Sequence, residues 1–141
     1  MQPTAAQLHH QYRRGAVSGG LQRLLSYASA AIAGFIHDLE KQGQADRVVV
    51  LAFSEFGRRV PENANLGTDH GVAGPMFIIG LPVKGGHYGE LPSLIALDAG
   101  DNLVPTTEFR RVYATAIKGW MAPGRSTAVL GGNFTAFSAF G

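Results

Sequence analysis

Two short segments of this 141-residue chain carry side chains able to act on a ligand. Residues 54–58 read SEFGR after an apolar run, and residues 67–71 read GTDHG in a polar stretch further on. Asp69 and His70 offer an oxygen and a nitrogen ligand to a divalent cation, and the flanking glycines let the backbone approach closely. Glu55 offers a second carboxylate. The pattern indicates a metal site, although an Asp in such a loop more often bonds its own backbone in a turn.

Arg58 presents the planar, paired donors that suit a phosphate or sulfate group, and a solvated loop arginine is an equally good interpretation. Glu55 can likewise be an ordinary solvated carboxylate. The other histidines have no partner at ligand spacing beyond the adjacent first two, so they are interpreted as surface or locally bonded side chains. They are His9, His10, His37 and His87.

A helix and a strand precede the first segment. Apolar residues recur every three or four positions from Leu21 to Leu39, which predicts an amphipathic helix, and Gly43 can take the left-handed conformation that ends it. Residues 48–53 (VVVLAF) are apolar and rich in β-branched side chains without alternation, which is typical of a strand covered on both faces. The SEFGR segment then lies at the carboxyl end of this strand.

The remaining elements follow the second segment. Residues 76–80 (MFIIG) predict another short buried strand, and residues 81–105 show turns without a sustained period. Thr106 and Thr107 are candidate caps for a helix whose apolar residues recur at three and four up to Met121. The tail from Ala128 is too apolar to stay in water, so it is expected to pack on this chain or on another.

These elements predict an α/β fold with a mostly parallel sheet flanked by helices. Such sheets carry ligands at the carboxyl ends of their strands, where both segments would lie. The length suits a single α/β domain over residues 1–141, with residues 1–20 as a poorly ordered or extended lead-in.

The composition excludes several classes of protein. Apolar residues make up 45% and charged residues 16%, which is the balance of a globular protein. The net charge of +2 comes from scattered basic pairs, so nucleic acid is not an expected partner. No stretch has the apolar length of a membrane span, and the polar start lacks the apolar centre of a secretory signal. The lack of cysteine excludes disulfides but does not decide the compartment.

The order of motifs resembles a known family. Residues 48–80, which contain EFGR and TDHG, followed by VKGGHYGELPSL and TTEFRRVYATAIKGWM, are similar to the carboxy-terminal part of a bacterial family of unknown function. Its members are typically exported by the twin-arginine route and are distantly similar to alkaline phosphatases, sulfatases and cofactor-independent phosphoglycerate mutases. The resemblance implies a partial alkaline-phosphatase-like three-layer sandwich, an exported or periplasmic location, and metal ligands at His70, Asp69 and Glu55.

The chain departs from that pattern at two places. The superfamily's strand-end pair is Asp followed by His or Asn, whereas Phe56 follows Glu55 here, which puts a two-metal site in doubt. Residues 2–7 (QPTAAQ) stand where the family has Asp-Thr-His-Ala-Asn-Gln. The Ser or Thr nucleophile of the superfamily would lie further upstream, so no complete catalytic set is expected in this chain.

Two functions are therefore expected as alternatives. In the first, the chain is the carboxy-terminal part of a divalent-metal-dependent phosphate- or sulfate-ester hydrolase, with Arg58 binding the anionic substrate and with activity incomplete in the chain alone. In the second, it is a non-catalytic binding module or oligomeric remnant of that fold. Missing strands would leave apolar faces to be covered by another chain, so a homo-oligomer is expected.

Overall fold

The computed structural model describes the backbone of residues 17–64 and 67–141 and the side chains of residues 23–64 and 67–141. Its elements run in this order: α1 (Val17–Lys41), a short 3₁₀ helix (Ala45–Arg47), β1 (Val50–Ala52), β2 (Gly57–Arg58), β3 (His70–Gly71), β4 (Phe77–Ile79), α2 (Arg110–Ala116), a π-helical turn (Ile117–Met121) and α3 (Ser126–Leu130). Residues 1–16 of the predicted lead-in lie outside the described part, and residues 17–20 form the start of α1.

The predicted first helix is confirmed as α1, and its end has a defined cap. Gly43 adopts a left-handed conformation with φ of 65°. The amide of Gly43 donates to the carbonyl of Glu40 (3.0 Å), and the amide of Gln44 donates to the carbonyl of Leu39 (2.8 Å). These bonds form the Schellman motif, which satisfies carbonyls that the helix itself leaves without partners. The helix therefore ends where the glycine predicts.

The four strands form two antiparallel pairs, β1 with β4 and β2 with β3, that follow one another along the same two chain segments. Val50 pairs with Ile79 and Ala52 with Phe77, while further along Gly57 pairs with Gly71 and Arg58 with His70. Between the two strand pairs, residues 53–56 on one side lie opposite residues 72–76 on the other. The second side therefore holds one extra residue, as at a β-bulge. We call this unit the ribbon, and its β2–β3 end, with residues 54–64 and 67–71, the ribbon tip.

Strands are present within residues 48–53 and 76–80, as β1 and β4, but none of their residues is buried, so the prediction of buried strands is wrong. The predicted mostly parallel sheet is also wrong for the described residues. Adjacent parallel strands need a crossover of a dozen or more residues, usually a helix. Between β1 and β4 the described residues form the β2–β3 hairpin, which turns the chain back on itself, and no crossover helix. The described part is α/β in general, with helices and small antiparallel sheets rather than a three-layer sandwich with a parallel sheet.

The tightest packing lies around α2 and the tail, where Ala114, Ala116, Ile117 and Ala139 are buried. The ring of Phe140 lies 6.1 Å from that of Trp120, centroid to centroid. The expectation that the apolar tail packs is confirmed on this chain. The predicted helix is also confirmed, but Phe109 rather than a threonine is its cap, without a side-chain cap bond.

The segment between the ribbon and α2 is irregular, as predicted. It contains one isolated bridge of its own, Leu97 with Leu103, and another from Val83 to Phe140. The Thr106 hydroxyl donates to the carbonyl of Glu90 instead of capping α2. In the described part of the chain, no helix is long and apolar enough to cross a membrane.

Candidate functional site

The ribbon tip brings the two predicted segments together as antiparallel partners. SEFGR supplies β2 and GTDHG supplies β3, and the backbones are very close at the glycines. A Cβ atom at Gly57 would lie 1.5 Å from the carbonyl oxygen of Ala73, and one at Gly71 would lie 2.8 Å from the carbonyl carbon of Arg58. Neither position has room for a side chain, so these glycines permit the pairing.

One face of the tip carries three side chains in contact. The rings of Phe56 and His70 are stacked, with centroids 3.7 Å apart and planes 14° from parallel. The Arg58 guanidinium carbon lies 5.5 Å from the Phe56 centroid, and Arg58 Nη1 donates to the carbonyl of Thr68 (2.9 Å). Cross-strand partners and alternate residues share one face of a strand pair. Arg58 and His70 thus share one face of the tip, and both side chains are exposed.

Asp69 belongs to the other face. Its Oδ1 accepts a hydrogen bond from Asn63 Nδ2 (2.8 Å), and its Oδ2 lies 3.9 Å from Arg59 Nη1. Its backbone carbonyl accepts from the amide of Arg59 (3.0 Å). Successive residues of an extended strand project to opposite sides, and these contacts agree with that alternation for Asp69 and His70.

Glu55 lies on the bend between β1 and β2 and is exposed. Within the described residues it has no hydrogen bond or ion pair. A carboxylate with these surroundings is hydrated and accessible to a ligand. The structure thus places Glu55 next to the tip without tying it to either face.

The three predicted metal ligands do not fit a single ion as they are arranged. Over the described residues there is no group of three His, Asp or Glu side chains able to hold a metal ion. The carboxylate of Asp69 is engaged by Asn63 and Arg59, away from the His70 ring. Divalent ions in proteins take four or more ligands on converging vectors. The metal assignment stays a prediction that needs ligands from outside the described residues.

Sequence reasoning missed Arg59, which joins the tip to a second loop. Arg59 Nη2 donates to the carbonyl of Gly100. In that loop Asp98 accepts from the amides of Asn102 (2.9 Å) and Gly100 (2.8 Å). These backbone bonds, with a smaller contribution from the charge of Arg59, hold the pKa of Asp98 below its ordinary value of 3.8. The only local signal was a basic pair at residues 58–59.

The histidines outside the tip are placed as follows. His37 Nδ1 lies 3.5 Å from Glu40 Oε2, one turn along α1, and His87 is exposed. His9 and His10 lie outside the described residues. A local carboxylate contact on a helix surface agrees with the interpretation of His37 as locally bonded.

A comparison with protein families identifies the chain. Residues 9–116 match a family described as "Protein of unknown function (DUF1501)", and the chain belongs to that family. Comparison with curated proteins and with solved structures finds no match. The predicted membership of a family of unknown function is therefore confirmed.

Proposed function

We propose that the ribbon tip binds the oxyanion group of a phosphate or sulfate ester, as one part of a hydrolase like the alkaline phosphatases and sulfatases. The observation that carries this proposal is the direct pairing of Arg58 with His70 across β2 and β3. Arginine offers a charged fork that matches two oxygens of a tetrahedral anion, and an imidazole N–H adds a donor beside it while the other ring nitrogen can bind a metal ion.

The surroundings of the pair support an anion rather than a neutral ligand. Arg58 gives one donor to Thr68 and lies over Phe56, which fixes its orientation. Its other N–H groups have no partner among the described residues. The stacked Phe56 ring supports His70 on the same face. Fixed orientation lowers the entropy lost on binding, so the pair is prepared for a ligand.

The proposed hydrolase is not catalytically complete in this chain alone. In the proposal, Glu55 and His70 contribute to a divalent-metal site whose other ligands, and the nucleophile, come from additional polypeptide. On the resemblance to twin-arginine-exported proteins, the proposal includes a location in the periplasm or outside the cell. A preceding segment of the reading frame with a Ser or Thr at a strand end would support this proposal.

The test is a calorimetric titration of the purified chain with inorganic phosphate and with sulfate. We expect binding that weakens about tenfold or more in Arg58→Ala, since a charged hydrogen-bonded contact contributes about 1.5–3 kcal/mol. The matched control is Arg125→Ala, an exposed arginine without a side-chain cap bond at the start of α3. Equal binding by wild type and Arg58→Ala, or no binding by wild type, contradicts the proposal.

A second candidate is a non-catalytic, oligomeric or binding remnant of the same fold. The observation in its favour is the large apolar surface on α1 and the ribbon, where Leu25, Phe35, Phe53 and Phe77 are about half exposed or more. In this candidate the tip contacts have structural roles only. Phosphate titration separates the two, because the remnant does not need the Arg58 side chain for any ligand.

A further inference from the structure

Asp69 is the centre of the contacts that close the connection between β2 and β3. Its carboxylate accepts from the Asn63 side chain at 2.8 Å, and its carbonyl accepts from the amide of Arg59 at 3.0 Å. Its second carboxylate oxygen lies 3.9 Å from the guanidinium of Arg59. Asp69 thus contacts both Arg59, at the start of the connection, and Asn63, near its middle.

Asn63, which Asp69 binds, also forms hydrogen bonds with Gly67 further along the connection. Its amide donates to the carbonyl of Gly67 (2.8 Å), and its side-chain oxygen accepts from the amide of Gly67 (3.0 Å). The other side-chain atom, Nδ2, is the donor to Asp69. Asn63 therefore bridges two points of the returning chain, and Asp69 orients that bridge.

Arg59 extends the network beyond the tip. Its guanidinium donates to Gly100 in the loop that Asp98 organises through three donors: the amides of Gly100 and Asn102 and the Asn102 side chain. The sequence separates Arg59 from Gly100 by 41 positions. Asp69 therefore stabilises the face of the tip that is anchored to the body of the chain.

We infer that Asp69 is a positioning residue for the anion site on the opposite face, and not itself a ligand. By holding the connection it fixes the register that sets Arg58 opposite His70. Its carboxylate is already committed to Asn63 and lies beside Arg59, on the face away from the His70 ring. The inference rests on the proposed function for the ligand, while the contacts that define the role of Asp69 stand in the chain alone.

Four variants separate positioning from direct ligation. Asp69→Ala and Asn63→Ala each break the bridge, while Asp69→Asn keeps an acceptor oxygen for the Asn63 side chain. Glu62→Ala is the matched control, since it removes an exposed carboxylate from the same connection. Phosphate affinity is measured by calorimetry, and amide exchange at Arg59 and Gly67 is measured by NMR without ligand.

Positioning predicts roughly three- to tenfold weaker phosphate binding in both Asp69→Ala and Asn63→Ala, the range expected for one hydrogen bond. In the double variant, with both residues changed to alanine, the loss of affinity is expected to be smaller than the two single effects combined, because both substitutions remove the bond between Asn63 and Asp69. Asp69→Asn is expected to bind within about twofold of wild type, and exchange at Arg59 and Gly67 is expected to speed up only in the alanine variants.

Two results would overturn the inference. The first is loss of phosphate binding in Asp69→Asn with full binding in Asn63→Ala, which would show that the charge of Asp69, and not its bond to Asn63, sets the phosphate affinity. The second is unchanged exchange at Arg59 and Gly67 in Asp69→Ala. Should wild type bind no phosphate, the proposed function fails, and the exchange measurement still decides whether Asp69 holds the connection.

Discussion

Gly57 lies where the two sides of the ribbon are closest. The space for its Cβ atom is occupied by the backbone of Ala73, at 1.5 Å from the oxygen and 2.1 Å from the carbon. Backbone atoms cannot move aside as the end of a flexible side chain can. The glycine of EFGR is therefore required by the close approach of two chain segments, whatever ligand the tip binds.

Gly57→Ala is accordingly expected to lower the free energy of unfolding by at least about 3 kcal/mol, at the upper end of single-substitution effects. The matched control is Gly85→Ala, because a Cβ there meets nothing within 4 Å and its φ is not in the left-handed region. The control is expected to stay within about 0.5 kcal/mol of wild type. Urea denaturation followed by circular dichroism measures both, and equal midpoints would contradict the packing described for the tip.

Among the elements, α2 and the tail depend on one buried hydroxyl. Thr115 is 1% exposed. Its Oγ1 donates to the carbonyl of Arg111 (2.7 Å) and accepts from the amide of Phe137 (2.8 Å). Around this bond Arg111 lies over the Phe137 ring, and Lys118 donates to the carbonyl of Phe134 (2.8 Å). The tail is therefore held by directed polar contacts as well as by its aromatic residues.

Thr115→Val keeps the side-chain shape and removes the hydroxyl. The amide of Phe137 then has no acceptor in a buried place, which costs about 1–3 kcal/mol of stability. Amide exchange at Phe137 is expected to become faster. The control is Thr127→Val on the exposed surface of α3, for which a change within about 0.5 kcal/mol is expected. Unchanged protection at Phe137 would show that the hydroxyl does not hold the tail.

Over the whole molecule, burial and apolar residues are distributed unevenly. The described buried side chains are concentrated near α2 and the tail, and Ala45 is buried in the short 3₁₀ helix after α1. Along α1 the side chains of Leu24, Leu25 and Phe35 stay about half exposed. Each large apolar side chain that moves from water into a packed interface contributes about 1.5–3 kcal/mol. A surface of this kind favours association with further polypeptide, and a homo-oligomer is our expectation for the isolated chain.

Sedimentation velocity is the measurement for this expectation, with a dimer or larger species expected at micromolar concentration. Leu25→Lys places a charge within the apolar stripe of α1 and is expected to shift the distribution towards monomer. Ala30→Lys places the same charge on the opposite side of the helix and is expected to leave the distribution unchanged, because residues five apart on a helix lie far apart around its axis. A monomeric wild-type chain would contradict the expectation.

Much of the local structure could be predicted from the sequence, because it depends on residues close together in the chain. The spacing of apolar residues determined both long helices, and Gly43 determined the end of the first. The apolar runs at residues 48–53 and 76–80 predicted the strands β1 and β4. The residue types of the SEFGR and GTDHG segments predicted a site, which stays a prediction, and the structure shows that the two segments pair as β2 and β3.

Only the tertiary structure decided how these pieces pair. The apolar run of β1 suits a parallel or an antiparallel partner, so strand direction depends on how the intervening chain turns back. Strand alternation, known only once the register is set, separates Asp69 from His70. The contact of Arg59 with Gly100 joins residues distant in sequence, which no local pattern records. Strand direction, the face on which each side chain lies and contacts between residues distant in sequence all depend on the packing of the whole chain. They decide which side chains of the tip can contact a ligand.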